Sequence, residues 1–324
     1  MFQSARLKLT TWYLFTAALI SVFFSLIIFV GINREFRRIG HFQKLRLEDR
    51  RSPDPEIIVQ ARTRLIMILV MVNLGILSVA GIAGYFLAGR TLKPIEEMID
   101  EQNRFIADSS HELRTPLTSL KSEMEVNLRD KNLSAANAKK LIVSNLEEVN
   151  KLQLLSDNLI KLTQYQGNSR SVFENIPLKS TVDNACKKVA AAAKFKRIKI
   201  SNQVDDCLIE AERNSVEELF VILLDNAIKY SLTGGKVFLT SDKQEGQIMI
   251  EIKDNGIGIS PIDIPHVFDR FYRGDKSRTK SDISGYGLGL SIAKQIIDRH
   301  HGTITVISHL NKGTTFKLSL RLAE

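Results

Sequence analysis

His111 and Glu112 stand side by side in the run Ser109-Ser110-His111-Glu112-Leu113-Arg114-Thr115-Pro116-Leu117. A neutral imidazole is a good nucleophile near pH 7, and an adjacent carboxylate orients it or takes its proton. Three downstream runs combine carboxylate, amide and glycine in ways suited to a phosphate-bearing ligand. They are Asp225-Asn226-Ala227-Ile228-Lys229-Tyr230-Ser231, Asp254-Asn255-Gly256-Ile257-Gly258 and Gly285-Tyr286-Gly287-Leu288-Gly289-Leu290. Glycine lets backbone approach a ligand where a Cβ would clash, and the free amides at a helix N-terminus attract phosphate. A fourth run, Phe268-Asp269-Arg270-Phe271-Tyr272-Arg273, lies between the last two. A single G-x-G-x-G is more often a plain turn than a phosphate loop; specificity comes from the four runs in this order.

Long helices must carry the histidine. Leu92, Ile95, Ile99, Ile106, Leu113, Leu117, Leu120 and Met124, with Gln102 and Ser109 or Ser110 as polar interruptions, recur at steps of three and four, the spacing of a coiled-coil seam. His111 falls off that seam and should face water, and Pro116 should bend the helix behind it. After the turn Asp130-Lys131-Asn132, Ser134 is a suitable N-cap for a second helix with Ile142, Leu146, Val149, Leu152, Leu155, Leu159 and Leu162 on one stripe. One hairpin cannot cover both stripes, so a second copy and a four-helix bundle are expected. Gln166-Gly167-Asn168-Ser169 reads as a linker. Beyond it, helices alternate with β-patterned runs such as Ile248, Ile250 and Ile252, which gives an α+β sandwich.

Two stretches, Trp12–Ile32 and Leu65–Ala88, are almost wholly apolar and uncharged. Each is long enough at about 1.5 Å per residue to cross a hydrocarbon core of about 30 Å. The first is too long for a signal peptide and lacks a cleavage site before Arg34. Gly75, Gly81 and Gly84 suit close helix contact in the second. Nine basic residues between the spans outnumber Arg6 and Lys8 before them and Arg90 and Lys93 after them, which by charge alone puts the connecting loop in the cytoplasm. The formal net charge of +9 owes much to that cluster, whose position between spans suits anionic lipid headgroups better than nucleic acid. Direct DNA binding is not expected. Cys186 and Cys207 lack metal-ligand spacing and read as reduced thiols.

The nine-residue histidine run resembles the phospho-acceptor box of sensor histidine kinases. The four later runs resemble the N, G1, F and G2 boxes of the Bergerat-fold ATPases in their histidine-kinase branch, with Gly313-Thr314-Thr315-Phe316 matching a final glycine element. The resemblance covers about residues 92–324. It implies a multidomain protein: a transmembrane helical hairpin, a dimeric four-helix-bundle hairpin of the HisKA type and an α+β sandwich of the Bergerat type that binds ATP. The expected division is 1–33 for the N-terminus and first span, 34–64 for a basic extracytoplasmic loop and 65–89 for the second span. A signalling linker, 90–104, begins like a HAMP unit but is too short to be one. The phosphotransfer hairpin takes 105–168 and the ATP-binding domain 169–324.

By the same resemblance, His111 attacks the γ-phosphate of ATP, Glu112 serves as base or orienting group, and the phosphoryl group passes to an aspartate of a separate response regulator. Thr115 matches the position that handles water in dephosphorylating the regulator. Asp254 would accept the adenine amine, and Asn226 would offer an oxygen to Mg²⁺. Gly256, Gly258, Gly285, Gly287, Leu288, Gly289 and Thr314 would shape the loops around the nucleotide. Tyr230 would lie beside it, and Lys229 and Arg273 would neutralise phosphate. For Lys229 an ordinary helix C-terminal cation is the lesser alternative, whereas Phe268, Phe271 and Tyr230 are equally core. Residues 274–284, with Lys276, Arg278 and Lys280, read as a lid. Ile222 stands where the family usually has a second Asn, so one contact to the metal is missing. The implied setting is a bacterial inner or plasma membrane, with two spans and both termini cytoplasmic. This ATP requirement reverses the orientation that charge alone gives. A non-catalytic membrane scaffold and an ATP-hydrolysing relative are the alternatives. The scaffold rests on Ile222 alone, and a hydrolase leaves His111-Glu112 unexplained.

Overall fold

The computed structural model describes residues 2–46, 55–130, 133–166, 172–274 and 285–323. The chain forms two compact units, Met1–Arg104 and Phe105–Glu324.

The first unit pairs helix α1 (Phe2–Arg46) with the first part of α2 (Pro55–Arg129). Residues 34–46 and 55–64, expected in a loop, are helical instead, and 47–54 lies outside the described residues. The run from Asn33 to Arg46 carries four arginines and no proline, so no helix breaker of that kind stops α1 where its apolar stretch ends. Pro55 opens α2, where a missing N–H costs no intrahelical bond. Each helix holds a stretch long and apolar enough to cross a membrane. Phe24, Met71 and Phe86 are more than half exposed, which a hairpin buried in a soluble core would not allow.

Small residues and polar bonds join the two helices. Gly81 faces Leu14, and Gly84 faces Tyr13 and Thr10, whereas Gly75 meets nothing within 4 Å and plays no part in that contact. Midway, Asn73 accepts a bond from Ser21 and donates to Ser25 Oγ at 2.7 Å and to the Leu69 carbonyl at 2.7 Å. Near the start of α1, Arg6 lies 3.7 Å from the centroid of the Tyr85 ring and donates to that residue's carbonyl at 3.1 Å. Any side chain at Gly89 would overlap the same guanidinium.

The second unit begins with the rest of α2 and α3 (Ala135–Gln166). Ser134 Oγ accepts the Asn137 N–H at 3.2 Å, the bond an N-cap makes. Ser144 donates to Glu123 across the hairpin at 3.4 Å. Ile106, Leu117, Met124, Ile142, Leu146 and Val149 remain 44–66% exposed, a continuous apolar stripe left for another surface to cover.

The sandwich comprises β1 (Glu174–Pro177), α4 (Leu178–Phe195), β2 (Lys199–Gln203), β3 (Leu208–Ala211), α5 (Arg213–Tyr230), β4 (Lys236–Gln244), β5 (Gln247–Asp254), α6 (Gly289–Arg299), β6 (Thr303–His309) and β7 (Gly313–Arg321). Five strands form a mixed sheet in the order β2-β4-β5-β7-β6, parallel only between β2 and β4; β1 pairs with β3 apart from it. Ile248, Ile250 and Ile252 point into the core, with Ile252 between Leu239 and Phe316. On the opposite face Glu251 pairs with Lys317. Burying period-2 apolar faces beneath amphipathic helices is the main stabilising term of this layer.

Candidate active site

His111 and Glu112 are both exposed on α2, with Leu113 half-buried behind them. The hydroxyls around them turn back onto their own helix: Ser109 donates to the Phe105 carbonyl at 2.6 Å, Ser110 to Ile106 at 2.7 Å and Thr115 to His111 at 3.2 Å. That leaves the imidazole and the carboxylate as the reactive groups on this surface. The helix continues through Pro116 to Arg129.

A cavity of about 350 Å³ opens in the sandwich, a size suited to a small organic ligand. Asn226 and Tyr230 from the end of α5, Asp254 from the end of β5, Gly258, Arg273 and Thr314 line it. At its base Asp254 is 4% exposed. Its Oδ1 accepts the backbone N–H of Gly256 at 2.8 Å and of Thr314 at 3.2 Å. Burial pushes its pKa up, and these two amides pull against that shift. Among the described residues Oδ2 has no hydrogen-bond partner, so this oxygen is left for a donor in the cavity. An exocyclic amine is such a donor.

The glycines have a reason beyond the one expected. A Cβ at Gly256 would overlap the Tyr230 carbonyl, and at Gly258 (φ +66°) the His309 carbonyl. The chain's own backbone already excludes a side chain there. Gly313 (φ +99°) is pressed against the Asp254 carbonyl in the same way. These contacts hold β5, β7 and the end of α5 close enough to form the cavity floor.

Several expected residues stand off the cavity. Lys229 pairs with Asp225 at 2.6 Å along α5, the position of an ordinary helix C-terminal cation. Gly285, Gly287, Leu288 and Gly289 do not line it, and Leu290 is the α6 residue that does. Leu288 is 1% exposed and belongs to the core cluster. Phe268 and Phe271 pack against the core, Phe268 edge-to-face with Phe316 at 6.4 Å. The lid expected at 274–284 lies, Gly274 excepted, outside the described residues.

Ile259, Ile262 and Val267, outside the motif runs, complete an apolar wall with Ile257, Leu290 and Phe316. Ile257 and Ile259 alternate with the glycines, and that alternation was the available signal. Asp263 was also missed. It accepts the Tyr272 hydroxyl at 2.7 Å and fixes the segment that closes one side.

For Mg²⁺ the donor set is thin. Among the described residues no cluster of three or more His, Cys, Asp or Glu could hold a metal. Asn226 offers one neutral oxygen. Ile222, one turn earlier, offers none, and its Cγ2 lies 3.4 Å from where a Cβ on Gly289 would be. These residues fit a magnesium ion carried in on nucleotide phosphates, with waters completing its octahedron, but not one held by the protein alone.

Two family models match the chain. The His Kinase A (phospho-acceptor) domain matches residues 101–168, and the histidine kinase-, DNA gyrase B-, and HSP90-like ATPase matches 211–324. The chain is similar to sensor protein CiaH of Streptococcus pneumoniae, 32% identical over 79% of this chain and 57% of that protein. It is also similar to signal transduction histidine-protein kinase ArlS of Staphylococcus aureus, 36% identical over 70% of this chain and 50% of the relative. It thus spans little more than half the length of these relatives. Among solved structures, histidine kinase AdeS of Acinetobacter baumannii shares the fold, with a TM-score of 0.54 and 24% identity over 66% of this chain and 98% of that one.

Proposed function

The chain belongs to the sensor histidine kinases, and from that premise we propose that it phosphorylates itself on His111 from ATP and passes the phosphoryl group to an aspartate of a separate response regulator. One observation carries this reading: an exposed His-Glu pair and a cavity with a buried, half-satisfied carboxylate occupy one compact unit. ATP enters with its adenine amine on Asp254 Oδ2 and its base against Ile257, Ile259 and Phe316. Asn226 faces the phosphates, and Arg273 draws toward their charge. When bound, Mg²⁺ neutralises that charge and leaves the γ-phosphorus open to attack. The unprotonated ring nitrogen of His111 forms the new N–P bond while the bond from phosphorus to the ADP oxygen breaks. Glu112 takes the proton from the other ring nitrogen.

The exposed stripe of the hairpin is covered by a second copy, which makes the working form a homodimer. Thr115 handles water when the phosphorylated regulator is the substrate. Residues 1–33 and 65–89 span a bacterial inner or plasma membrane, and both termini face the cytoplasm where ATP is. The Arg-rich segment between the spans lies outside, against anionic headgroups; 90–104 carries the signal to the hairpin at 105–168, and 169–324 binds ATP.

Incubating the purified chain with Mg²⁺ and γ-radiolabelled ATP tests the reading. Acid-labile, base-stable label on the wild type and none on His111→Ala is the expected result. Label that survives in His111→Ala refutes it.

A further inference from the structure

On the premise of this kinase reading, we propose that phosphoryl transfer runs within one chain, because Phe105, received by Arg270 and Phe271 of the same chain, seats each ATP-binding domain on the helix that carries its own His111. The Phe105 and Phe271 rings lie 6.3 Å apart at 33°, and the Arg270 guanidinium lies 5.2 Å from the Phe105 ring centroid. Phe271 makes this contact from a left-handed backbone (φ 60°), a conformation that a bulky residue keeps only when its surroundings enforce it. Gly287 supplies part of that enforcement. A Cβ on it would fall 2.6 Å from the Tyr272 carbonyl oxygen and 2.7 Å from the Phe271 carbonyl carbon. The glycine loop, the Phe271–Tyr272 peptide and Phe105 are therefore stacked in sequence from the ATP-binding domain to α2.

Helix geometry places His111 beside this seat. At about 100° and 1.5 Å per residue, Glu112 shares the Phe105 face, and His111 stands about 9 Å along the axis on the neighbouring flank. The exposed stripe of Ile106, Leu117 and Met124 lies on the other side, so the seat and the dimer surface do not compete. Tyr286 of the glycine loop carries the same message. Burial raises the pKa of its hydroxyl, and the charges of Glu148 and Glu112 add to the shift while Lys151 opposes it. All three groups belong to the hairpin of the same chain. On α3, Leu155 and Leu162 are buried in the ATP-binding domain's core cluster, and Lys161 and Tyr165 both bond Glu218 of α5.

Mixed dimers of full chains test this directly. A His111→Ala chain with one tag is co-expressed with an Asn226→Ala chain carrying another, and the doubly tagged dimer is given γ-radiolabelled ATP. Intrachain transfer leaves both chains at background, because each lacks either the acceptor or the nucleotide site. Label on the Asn226→Ala chain overturns the proposal. Phe105→Ala supplies a second measurement: the maximal rate should fall roughly fivefold to fiftyfold with KM for ATP unchanged, and Phe105→Tyr should restore it. An unchanged or faster rate overturns the seat. Wild-type dimers that take no label at all sink the kinase reading instead, so the two failures are told apart.

Discussion

Replacing Asp254 by Asn and, separately, by Ala divides its two duties. In the Asn variant the side-chain oxygen still accepts the Gly256 and Thr314 amides, as Oδ1 does now. The amide nitrogen then faces the cavity where Oδ2 was, presenting a donor to the donor of a bound adenine. A hydrogen bond to a charged group is worth about 1.5–3 kcal/mol, so nucleotide affinity should fall between roughly tenfold and two-hundredfold. Stability should hold to within about 1 kcal/mol. The Ala variant also strands two buried N–H groups at about 1–3 kcal/mol each, and its melting temperature should drop by several degrees. Titration calorimetry with ADP and thermal melts of the intact protein in detergent read both quantities. If Asp254→Asn binds ADP within threefold of wild type, Oδ2 is not the adenine acceptor and the orientation of the nucleotide is wrong.

Other outcomes follow from single contacts. Ile222→Asn should raise the autophosphorylation rate at limiting Mg²⁺ yet lower the melting temperature, since it puts an amide where Ile222 packs against the core; a magnesium titration beside a melt decides it. His300 is buried, accepts the Glu212 N–H at Nε2 (3.1 Å) and has its pKa pushed down by burial. The unfolded chain therefore binds this proton at higher pH than the folded one, and stability present above about pH 6.5 is lost as pH falls through the lowered value. The pH dependence of melting between pH 7.5 and 5.5, taken as wild type minus His300→Gln, should show that loss. Asn73→Leu should weaken the pairing of α1 with α2 by about 0.6–2 kcal/mol, measured as reduced disulfide trapping between cysteines placed at Leu14 and Gly81.

Element existence was legible in the sequence wherever one period dominated. The three-and-four spacing around His111 gave one long helix, and the alternation at Ile248–Ile252 gave a strand buried on one face. The cavity was legible at Asn226, Tyr230, Asp254, Gly258, Arg273 and Thr314, because polar or glycine residues at element ends have few other reasons to recur in order. Its apolar wall was legible only at Ile257, Leu290 and Phe316, which fall inside the motif runs; Ile259, Ile262 and Val267 lie outside them. At Gly256 and Gly258 the fold adds a cause that the sequence does not show, the chain's own carbonyls at Tyr230 and His309. The loop between the spans was misjudged. The end of an apolar stretch marks where a helix leaves oil, not where it stops being a helix.

Asn73 sets a mechanical rule for the paired spans. Its amide engages Ser21 and Ser25 together, and these two stand one helical turn apart on α1. In hydrocarbon no water replaces a lost bond. A slide of part of a turn forfeits both bonds, whereas a slide of one full turn, about 5.4 Å, returns one serine to the amide. Asn73 thus favours registers of the two helices one turn apart over those between, and any slide of one along the other is expected to settle in steps of that size.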